Sequence, residues 1–334
     1  MKILLVFIAG CLAVSLVGCS SPKAPKASAT PELVSVKKIW DTAPHSAFTD
    51  LIRFRDRWFC TFRESSGHMT GHGKIRVITS KNGEDWQSAA LLAEEGLDLR
   101  DPKLSITPDG RLMLLFGGTL RQGKKEVGRK GRVAFSQDGS SWTAPQPTYG
   151  ADGWLWRVTW HEGRAYGIVY AVTGKWSAHF VESDDGIHYR TVSDFQIPDR
   201  PNEATARFRK NGDCVVLIRR EAGDKAAWIG VSSPPYSSWK WKSAGLFIGG
   251  PNFIMFDCGQ MIASGRELLS QPASAQTFVG RMDLQSVTPQ LMLPKGGNWD
   301  CSYPGLVWHD GLLWVSYYSS HEGKASIYLA KVKL

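Results

Sequence analysis

Charged and aromatic residues recur at one position of a repeat in this 334-residue chain. A short polar turn occurs six times, and the residue seven places after it is polar or aromatic in five copies: Glu64, Tyr170, Arg219, Arg266 and Tyr318. Strand ends that pack into an apolar core would not select such side chains. Arginine can hold a carboxylate through two parallel hydrogen bonds, and a carboxyl group can transfer a proton. The position therefore indicates a polar site.

A second set of polar residues comes eight or nine places before the same turns and includes Asp101, Glu203 and Tyr303. A tight turn joins antiparallel strands, so the start of the first strand and the end of the second lie at the same end. Both sets converge on one mouth if the six copies surround a common axis. The alternative is a channel plugged by salt bridges with no substrate, because buried charges are usually paired.

The elements that must position these residues are short strands on either side of each turn. The turns are Arg55-Asp56-Arg57, Asp109-Gly110, Glu162-Gly163, Asn211-Gly212, Cys258-Gly259 and Asp310-Gly311. With Arg57 taken as the counterpart of the glycines, the intervals are 53, 53, 49, 47 and 52 residues. Six copies of a roughly fifty-residue unit predict an all-β fold, a six-bladed β-propeller of four-stranded antiparallel blades. The last copy lacks a strand after Leu334, and residues 33–40 can supply it.

A second motif, Ser-x-Asp/Asn-Gly-x-x-aromatic, interleaves with the first. It occurs at 80–86, 136–142 and 183–189, with a decayed copy at 233–239. Asp-Gly and Asn-Gly suit a turn that needs positive φ. These copies resemble the Asp boxes, or BNR repeats, of the sialidase (neuraminidase) superfamily, and the resemblance covers about residues 35–334. It implies that the motifs are structural turns away from the active site.

The same resemblance implies roles for residues of three blades. Segment 202–205 (Asn-Glu-Ala-Thr) resembles the start of the superfamily's fourth blade, so Glu203 would tune a nucleophilic tyrosine. Arg219 would hold a substrate carboxylate, with Arg266 as a second arginine. Segment 300–306 resembles the superfamily's tyrosine segment, so Tyr303 would be the nucleophile, activated by Glu203 as its base. The alternative for Tyr303 is a structural aromatic at a blade edge.

The sequence departs from the superfamily pattern in blade one. Segment 45–50 (His-Ser-Ala-Phe-Thr-Asp) replaces an Arg-Ile-Pro-like motif, so Arg63 or Arg100 would have to supply the missing arginine. The loop that usually carries the acid aspartate, 63–72, contains no aspartate. The candidate acids are Asp50, Asp101, Glu64, His68 and His72, with Asp300 added if Tyr303 is not the nucleophile. His45, Glu64 and Tyr318 complete the predicted substrate-binding set.

The N-terminus has the pattern of an export signal. An apolar run follows Met1 and Lys2 and ends Leu-Val-Gly-Cys at 16–19, which resembles a bacterial lipobox. We expect a signal peptide at 1–18, a lipidated Cys19 with a flexible tether at 19–32, and the propeller at 33–334. Ser20 suits the outer membrane or cell surface in the cell envelope. An ordinary signal peptide that happens to contain a cysteine is the alternative.

Composition narrows the class further. The chain is 43% hydrophobic and 21% charged, which is typical of a globular protein. Its net charge of +9 is too diffuse to indicate nucleic-acid binding. The sequence contains no Cys-x-x-Cys pair, which excludes a zinc ribbon. We expect a monomer that needs no metal or cofactor.

The resemblance to the sialidase superfamily, together with the departures in blade one, leads to the predicted function. It is an exo-acting glycoside hydrolase whose substrate is not an ordinary sialoside, an acidic glycan being one option. The alternative is a non-catalytic carbohydrate-binding propeller.

Overall fold

The computed structural model describes residues 30–122, 125–149, 153–172, 174–270, 273–295 and 299–334. These residues form six four-stranded antiparallel sheets and no helix, so none of them belongs to a helix long and apolar enough to span a membrane. The six-bladed β-propeller predicted from the repeats is confirmed. The predicted signal peptide, Cys19 and nearly all of the tether lie outside the described residues.

The strand bounds follow the repeat along the chain. In order, the strands are β1 (Glu32–Trp40), β2 (His45–Phe54), β3 (Arg57–Ser65), β4 (Lys74–Ser80), β5 (Gln87–Leu92), β6 (Leu97–Ile106), β7 (Leu112–Gln122), β8 (Lys125–Ser136), β9 (Gln146–Thr148), β10 (Trp154–His161), β11 (Arg164–Ala171), β12 (Ser177–Ser183), β13 (Arg190–Asp194), β14 (Pro201–Phe208), β15 (Cys214–Arg220), β16 (Trp228–Ser232), β17 (Lys240–Ser243), β18 (Gly249–Met255), β19 (Met261–Ser270), β20 (Ala273–Met282), β21 (Val287–Met292), β22 (Ser302–His309), β23 (Leu312–Ser319) and β24 (Ser326–Lys333).

The sixth blade closes the ring by combining both ends of the described chain. Its strand order is β1-β24-β23-β22, whereas the other five blades each use four consecutive strands. Pairing runs from Glu32 opposite Lys333 to Trp40 opposite Ile327. Residues 33–40 therefore supply the missing outer strand, as the sequence predicts. Apolar clusters between neighbouring blades form the core, for example the cluster that joins blades one and two through Phe59 and Phe116.

The turn between the first two strands of a blade sets the register of the site. In blades one, three and six this turn has two residues with positive φ: Arg55-Asp56 at 47° and 59°, Glu162-Gly163 at 49° and 80°, and Asp310-Gly311 at 50° and 74°. These are the dihedral signs of a type I′ turn. The counterpart of the glycines in blade one is therefore Asp56, and the assignment of that role to Arg57 was wrong by one residue. Seven places after Asp56 stands Arg63, not Glu64, and a shift of one residue points a side chain to the other face.

The Ser-x-Asp/Asn-Gly motifs form turns between the third and fourth strands of their blades. In the first of them, the Asn82 side-chain oxygen accepts hydrogen bonds from the backbone nitrogens of Glu84 and Asp85 at 2.9 and 3.0 Å, and Gly83 has a φ of 76°. The motifs at 136–142 and 183–189 repeat this pattern. Because β4 runs antiparallel to β3, this turn lies at the opposite end of the blade from the end of β3.

Each inner strand carries a β-bulge near its start. The pairing register shifts after Ala47, Arg100, Leu155, Pro201, Gly249 and Ser302, which are the last paired residues before the bulges. The residues within the bulges include Asp101, Glu203 and Tyr303, and the φ of Asp101 and Tyr303 is 51° and 53°. A bulge leaves a residue unpaired and re-aims its side chain. Six bulges at one level thus direct side chains toward the axis of the ring.

Candidate functional site

Two adjoining cavities open on the face where the inner strands begin. The axial cavity has a volume of about 330 Å³ and is lined by residues of all six blades, among them Asp101, Glu203 and Tyr303. The side cavity has a volume of about 400 Å³ and is lined by His68, Arg219, Phe247, Arg266, Leu268, Trp299 and Asp300. His68, Arg219 and Arg266 line both, so the two cavities form one cleft with a junction at these three residues.

A tyrosine, a carboxylate and a guanidinium form the centre of the axial cavity. The Tyr303 hydroxyl donates to Glu203 Oε1 at 2.6 Å, and Arg219 Nη1 donates to Glu203 Oε2 at 2.7 Å and to the Tyr303 hydroxyl at 3.2 Å. The backbone nitrogen of Gly250 donates to Glu203 Oε2 at 2.8 Å. Arg219 also pairs with Glu221. Donors from three other strands, β15, β18 and β22, thus orient the two oxygens of Glu203.

The surroundings shift the acidities of this group in opposite directions. Burial raises the pKa of Tyr303 well above its ordinary value, and the adjacent Glu203 carboxylate raises it further. Burial also acts to raise the pKa of Glu203, but the charge of Arg219 and the hydrogen bonds outweigh it, so this pKa is lowered. The phenol is therefore protonated and the carboxylate ionised, which is the arrangement in which Glu203 can remove the phenolic proton.

Asp101 lines the same cavity, and its pKa shifts in the opposite direction to the pKa of Glu203. Burial raises its pKa although the cations of Arg100 and Lys103 oppose the change. Within the described part of the chain its carboxyl group has no hydrogen-bond partner. Its neighbour Arg100 donates from Nη1 to the His68 carbonyl at 3.0 Å and lies 4.9 Å from the Phe48 ring.

Arg266 is the cationic group of the cleft with the fewest partners. It lies 5.6 Å from the centre of the Tyr303 ring and donates from Nη1 to the Trp299 carbonyl at 3.3 Å. Among the residues that the structure describes, no carboxylate pairs with it. Burial acts to lower its pKa, but the negative charge that Tyr303 and Tyr318 carry when ionised acts the other way, and the net shift is upward. An anionic group of a ligand in the cleft can therefore bind to Arg266 without breaking an existing ion pair.

Arg63, a predicted substrate-binding residue of blade one, does not line the cleft. Arg63 is fully buried and donates to Asp98 Oδ1 at 3.0 and 2.7 Å, with further bonds to Ser65 and the Gly67 carbonyl. It thereby holds the loop after β3 in place and cannot replace the missing arginine of blade one. Arg100, the other candidate, does line the axial cavity.

Glu64 points away from the cleft toward the closing strand. Its Oε1 accepts a hydrogen bond from Trp40 Nε1 at 2.6 Å, and its Oε2 accepts two from Arg76 at 3.1 and 2.9 Å. These contacts tie β1 of the sixth blade to the first blade. The geometry does not support substrate binding or acid catalysis by Glu64, and the one-residue register difference in blade one is the reason.

Asp50 lies in the channel below the cleft rather than in it. Both of its carboxylate oxygens accept from Arg157 Nη1, at 3.0 and 2.9 Å, and Oδ2 also accepts from the Leu104 backbone nitrogen at 2.8 Å. Lys103 is buried beside it, and burial and Arg157 lower the pKa of that lysine to about 8. The geometry therefore assigns Asp50 to the charge balance of the channel and does not support the predicted acid role.

Asp300 holds three predicted site residues together. Oδ2 lies 2.7 Å from His45 Nε2, and Oδ1 lies 2.8 Å from His68 Nδ1 and accepts from the Tyr318 hydroxyl at 2.7 Å. Burial acts to raise the pKa of Asp300, but the hydrogen bonds from His45 and His68 outweigh it and hold this pKa well below its ordinary value. His45 and Tyr318 thus support Asp300 and are not among the residues that line either cavity.

Within the described residues, donor atoms for a metal come together at one place, which is formed by Asp300 and the two histidines that contact it. His45, His68 and Asp300 each offer one atom, all within 4.8 Å of one another. The two histidine–carboxylate contacts of 2.7 and 2.8 Å are the lengths of direct hydrogen bonds. An ion held at roughly 2.1 Å from each atom would have to separate them. His72 does not belong to this group.

The side cavity and the hairpin β7–β8 contribute residues that lie outside the predicted site set. Phe247, Leu268 and Trp299 line the side cavity. The hairpin β7–β8 brings Arg121 and Arg129 to the axial cavity. The signal in the sequence was the basic run at 119–131. In the structure β7 and β8 have 11 and 12 residues, more than the corresponding strands of the other blades.

Solved structures with the same fold include glycoside hydrolases. A protein of unknown function from Dyadobacter fermentans matches with a TM-score of 0.81 and 18% identity over 91% of this chain and 99% of its own. An α-L-arabinofuranosidase of Fusarium graminearum, in complex with an iminosugar inhibitor, matches at 0.68 and 13% over 90% and 98%. A Trypanosoma rangeli sialidase, in complex with the inhibitor DANA, matches at 0.65 and 11% over 86% and 55%.

No protein-family model and no curated protein matches the sequence. At the identities of the solved structures, the likeness establishes the fold. Those neighbours include glycoside hydrolases of the sialidase and arabinofuranosidase types. The chain thus has the six-bladed propeller fold that it shares with these enzymes.

Proposed function

We propose that the protein is an exo-acting glycoside hydrolase that uses Tyr303 as its nucleophile. The observation that carries this proposal is the 2.6 Å hydrogen bond from the buried Tyr303 hydroxyl to Glu203, within a cavity large enough for a sugar residue. A structural tyrosine at a blade edge would not need an ionised carboxylate held by Arg219 and by the Gly250 nitrogen. The fold that the protein shares with glycoside hydrolases supports the same conclusion.

In the first step Glu203 removes the phenolic proton while the Tyr303 oxygen attacks the anomeric carbon. The glycosidic bond breaks, its electron pair goes to the leaving oxygen, and a cavity acid protonates that oxygen. In the second step water attacks the anomeric carbon and gives a proton to the group that supplied the acid proton. The bond from that carbon to Tyr303 breaks, its electron pair goes to the phenolic oxygen, and the proton on Glu203 returns to Tyr303. Of the other acids that line this cavity, Glu126 and Glu221 are paired with arginines, which leaves Asp101 and His68 to supply the acid proton.

The substrate class follows from the cations of the cleft. Arg266 has no carboxylate partner among the described residues, and Arg219 and Arg100 stand at the same cavity. We infer a sugar that carries a carboxylate or another anionic group. The Arg-Ile-Pro-like motif of blade one is absent, so the substrate is not an ordinary sialoside.

A glycoside screen tests this function. Purified protein is incubated with chromogenic glycosides of neutral and acidic sugars and with natural glycans, and released sugar is measured beside a Tyr303→Phe variant. Release by the wild-type protein alone supports the proposal. Binding of a glycan without release by either protein would contradict it and favour the carbohydrate-binding alternative.

We also propose that the protein is a lipoprotein of the cell envelope, anchored through Cys19. The support is the sequence pattern at 16–19 alone. Stable anchoring needs more than one acyl chain, so the anchor would carry several on Cys19. Cys19→Ala should then release the protein from the membrane fraction, and equal association of the variant and the wild type would contradict this.

A further inference from the structure

His68 stands where the axial and side cavities meet. The residues that line both cavities are His68, Arg219 and Arg266. A glycosidic bond between a sugar in the axial cavity and a leaving group in the side cavity crosses this junction. Guanidinium groups remain protonated at all relevant pH values and cannot give a proton to a leaving oxygen. Of the described residues at the junction, His68 is the one whose side chain can act as a general acid.

The imidazole of His68 lines the cleft with one of its two nitrogens fixed by a hydrogen bond. Asp300 is ionised, because its pKa is held low, and it can only accept; His68 Nδ1 therefore carries the proton of their 2.8 Å hydrogen bond. Asp300 is itself fixed by His45 and Tyr318 at 2.7 Å each. In the described part of the chain Nε2 of His68 has no hydrogen-bond partner, and the side chain is 40% exposed.

Backbone and ring contacts hold the loop that carries His68. Arg100 Nη1 donates to the His68 carbonyl at 3.0 Å, and the Phe48 ring meets the imidazole edge to face at 5.2 Å between centroids. Asp101, the competing acid, lines the axial cavity but not the side cavity. Asp101 therefore lies on the side of the junction that would hold the sugar ring. The leaving group would lie on the other side, in the side cavity.

We infer that His68 is the proton donor to the leaving oxygen and that Asp300 is its positioning residue. This inference rests on the proposed function. As Tyr303 attacks and the glycosidic bond breaks, the leaving oxygen takes the Nε2 proton of the His68 imidazolium. In the second step the oxygen of the attacking water bonds to the anomeric carbon and the water gives a proton to Nε2, which restores the imidazolium. The bond from that carbon to Tyr303 breaks, and the phenolic oxygen takes back its proton from Glu203. Asp300 keeps Nδ1–H in place throughout.

The dependence of rate on the leaving group tests the inference. Two glycosides of the sugar found in the screen are compared: a 4-nitrophenyl glycoside, whose leaving group needs little protonation, and a methyl glycoside, whose leaving group needs a proton. His68→Gln should lower kcat/KM, which reports the bond-breaking first step, about 10²- to 10⁴-fold on the methyl glycoside. It should change kcat/KM on the nitrophenyl glycoside less than about tenfold, because the second step, in which His68 accepts a proton from water, does not enter kcat/KM. Asp300→Asn should show the same selectivity with a smaller loss, and it serves as the second variant if His68→Gln fails to fold.

The controls separate the other outcomes. His72 lies in the same loop as His68 but lines neither cavity. The substitution His72→Gln should therefore leave the rates on both glycosides unchanged. Equal losses on both glycosides, or no loss, would overturn the inference while leaving the proposed function intact. Loss of wild-type activity in EDTA with recovery on adding zinc would show that His45, His68 and Asp300 bind a metal, which also overturns it. A wild-type protein that cleaves neither glycoside overturns the proposed function and this inference together.

Discussion

Replacement of Asp50 by asparagine should lower thermal stability and leave the chemistry of folded protein intact. Asp50 is 1% exposed and accepts three hydrogen bonds, two from Arg157 Nη1 and one from the Leu104 nitrogen. Asparagine keeps the shape and one acceptor but removes the negative charge. Arg157 and Lys103, which are both buried, then face each other without a carboxylate between them.

The size of the effect follows from the burial of the pair. Breaking a buried ion pair by removing one partner costs about 3–5 kcal/mol, because the remaining charge stays buried. In a domain of this size each kcal/mol corresponds to roughly 2–4 °C, so Tm should fall by roughly 6–20 °C. The pair of Asp257 with Lys210 is the matched control, because both side chains are more than two-thirds exposed. Asp257→Asn should cost less than about 1 kcal/mol.

Differential scanning calorimetry and kcat on the best glycoside are measured on both variants. We expect a large fall in Tm for Asp50→Asn, no measurable fall for Asp257→Asn, and kcat within a few-fold of wild type for both below their melting temperatures. A normal Tm with a kcat lowered by orders of magnitude in Asp50→Asn would return Asp50 to the role of acid and refute the reasoning.

Three further predictions concern carboxylates whose partners are known. Tyr303→Phe and Glu203→Gln should each lower kcat by about three orders of magnitude or more, and the double variant should be little worse, because the pair acts as a unit; additive losses would separate their roles. Glu64→Gln should lower the free energy of unfolding by about 1.5–3 kcal/mol through its bonds to Trp40 and Arg76, with kcat unchanged. Glu203 has a lowered pKa in the folded state, so its stabilisation is complete above the ordinary glutamate pKa of about 4.3 and is lost as pH falls through the folded value. The difference in unfolding free energy between wild type and Glu203→Gln should therefore narrow below about pH 4, and a difference that widens there would contradict the assignment.

The fold could be predicted because local signals agreed with one another. Asp-Gly, Asn-Gly and Glu-Gly turns recur at nearly constant spacing, and short apolar strands lie on either side of them. The closing strand could be placed as well, because the last copy ends one strand short. Blade one was misaligned because its turn, Arg55-Asp56, adopts positive φ without a glycine. The sequence-based interpretation therefore assigned Arg63 and Glu64 to the wrong faces of their strand.

The site was harder to predict because its geometry depends on bulges and distant partners. Asp50 and Asp101 both stand in the first strand of a blade, yet only Asp101 lies in a bulge that directs it into the cavity. Asp50 comes after the bulge of its strand and meets Arg157, a residue 107 positions away, in the channel. The repeat register separates the two, because Asp101 is nine residues before its turn glycine whereas Asp50 is six before Asp56. No local pattern, however, indicates Arg157 as the partner of Asp50. The positioning role of Asp300 was similarly hidden, because its described contacts His45, His68 and Tyr318 come from blades one and six.

The most direct test of the central claim is to trap the sugar on the enzyme. A fluorinated analogue of the sugar identified in the screen, with fluoride as its leaving group, slows both steps and allows a covalent adduct to accumulate. Peptide mass spectrometry of the wild-type protein should find the added sugar mass on Tyr303, and the Tyr303→Phe variant should carry none. A sugar attached to another residue, or turnover with inversion at the anomeric carbon and no adduct, would contradict a tyrosine nucleophile activated by Glu203.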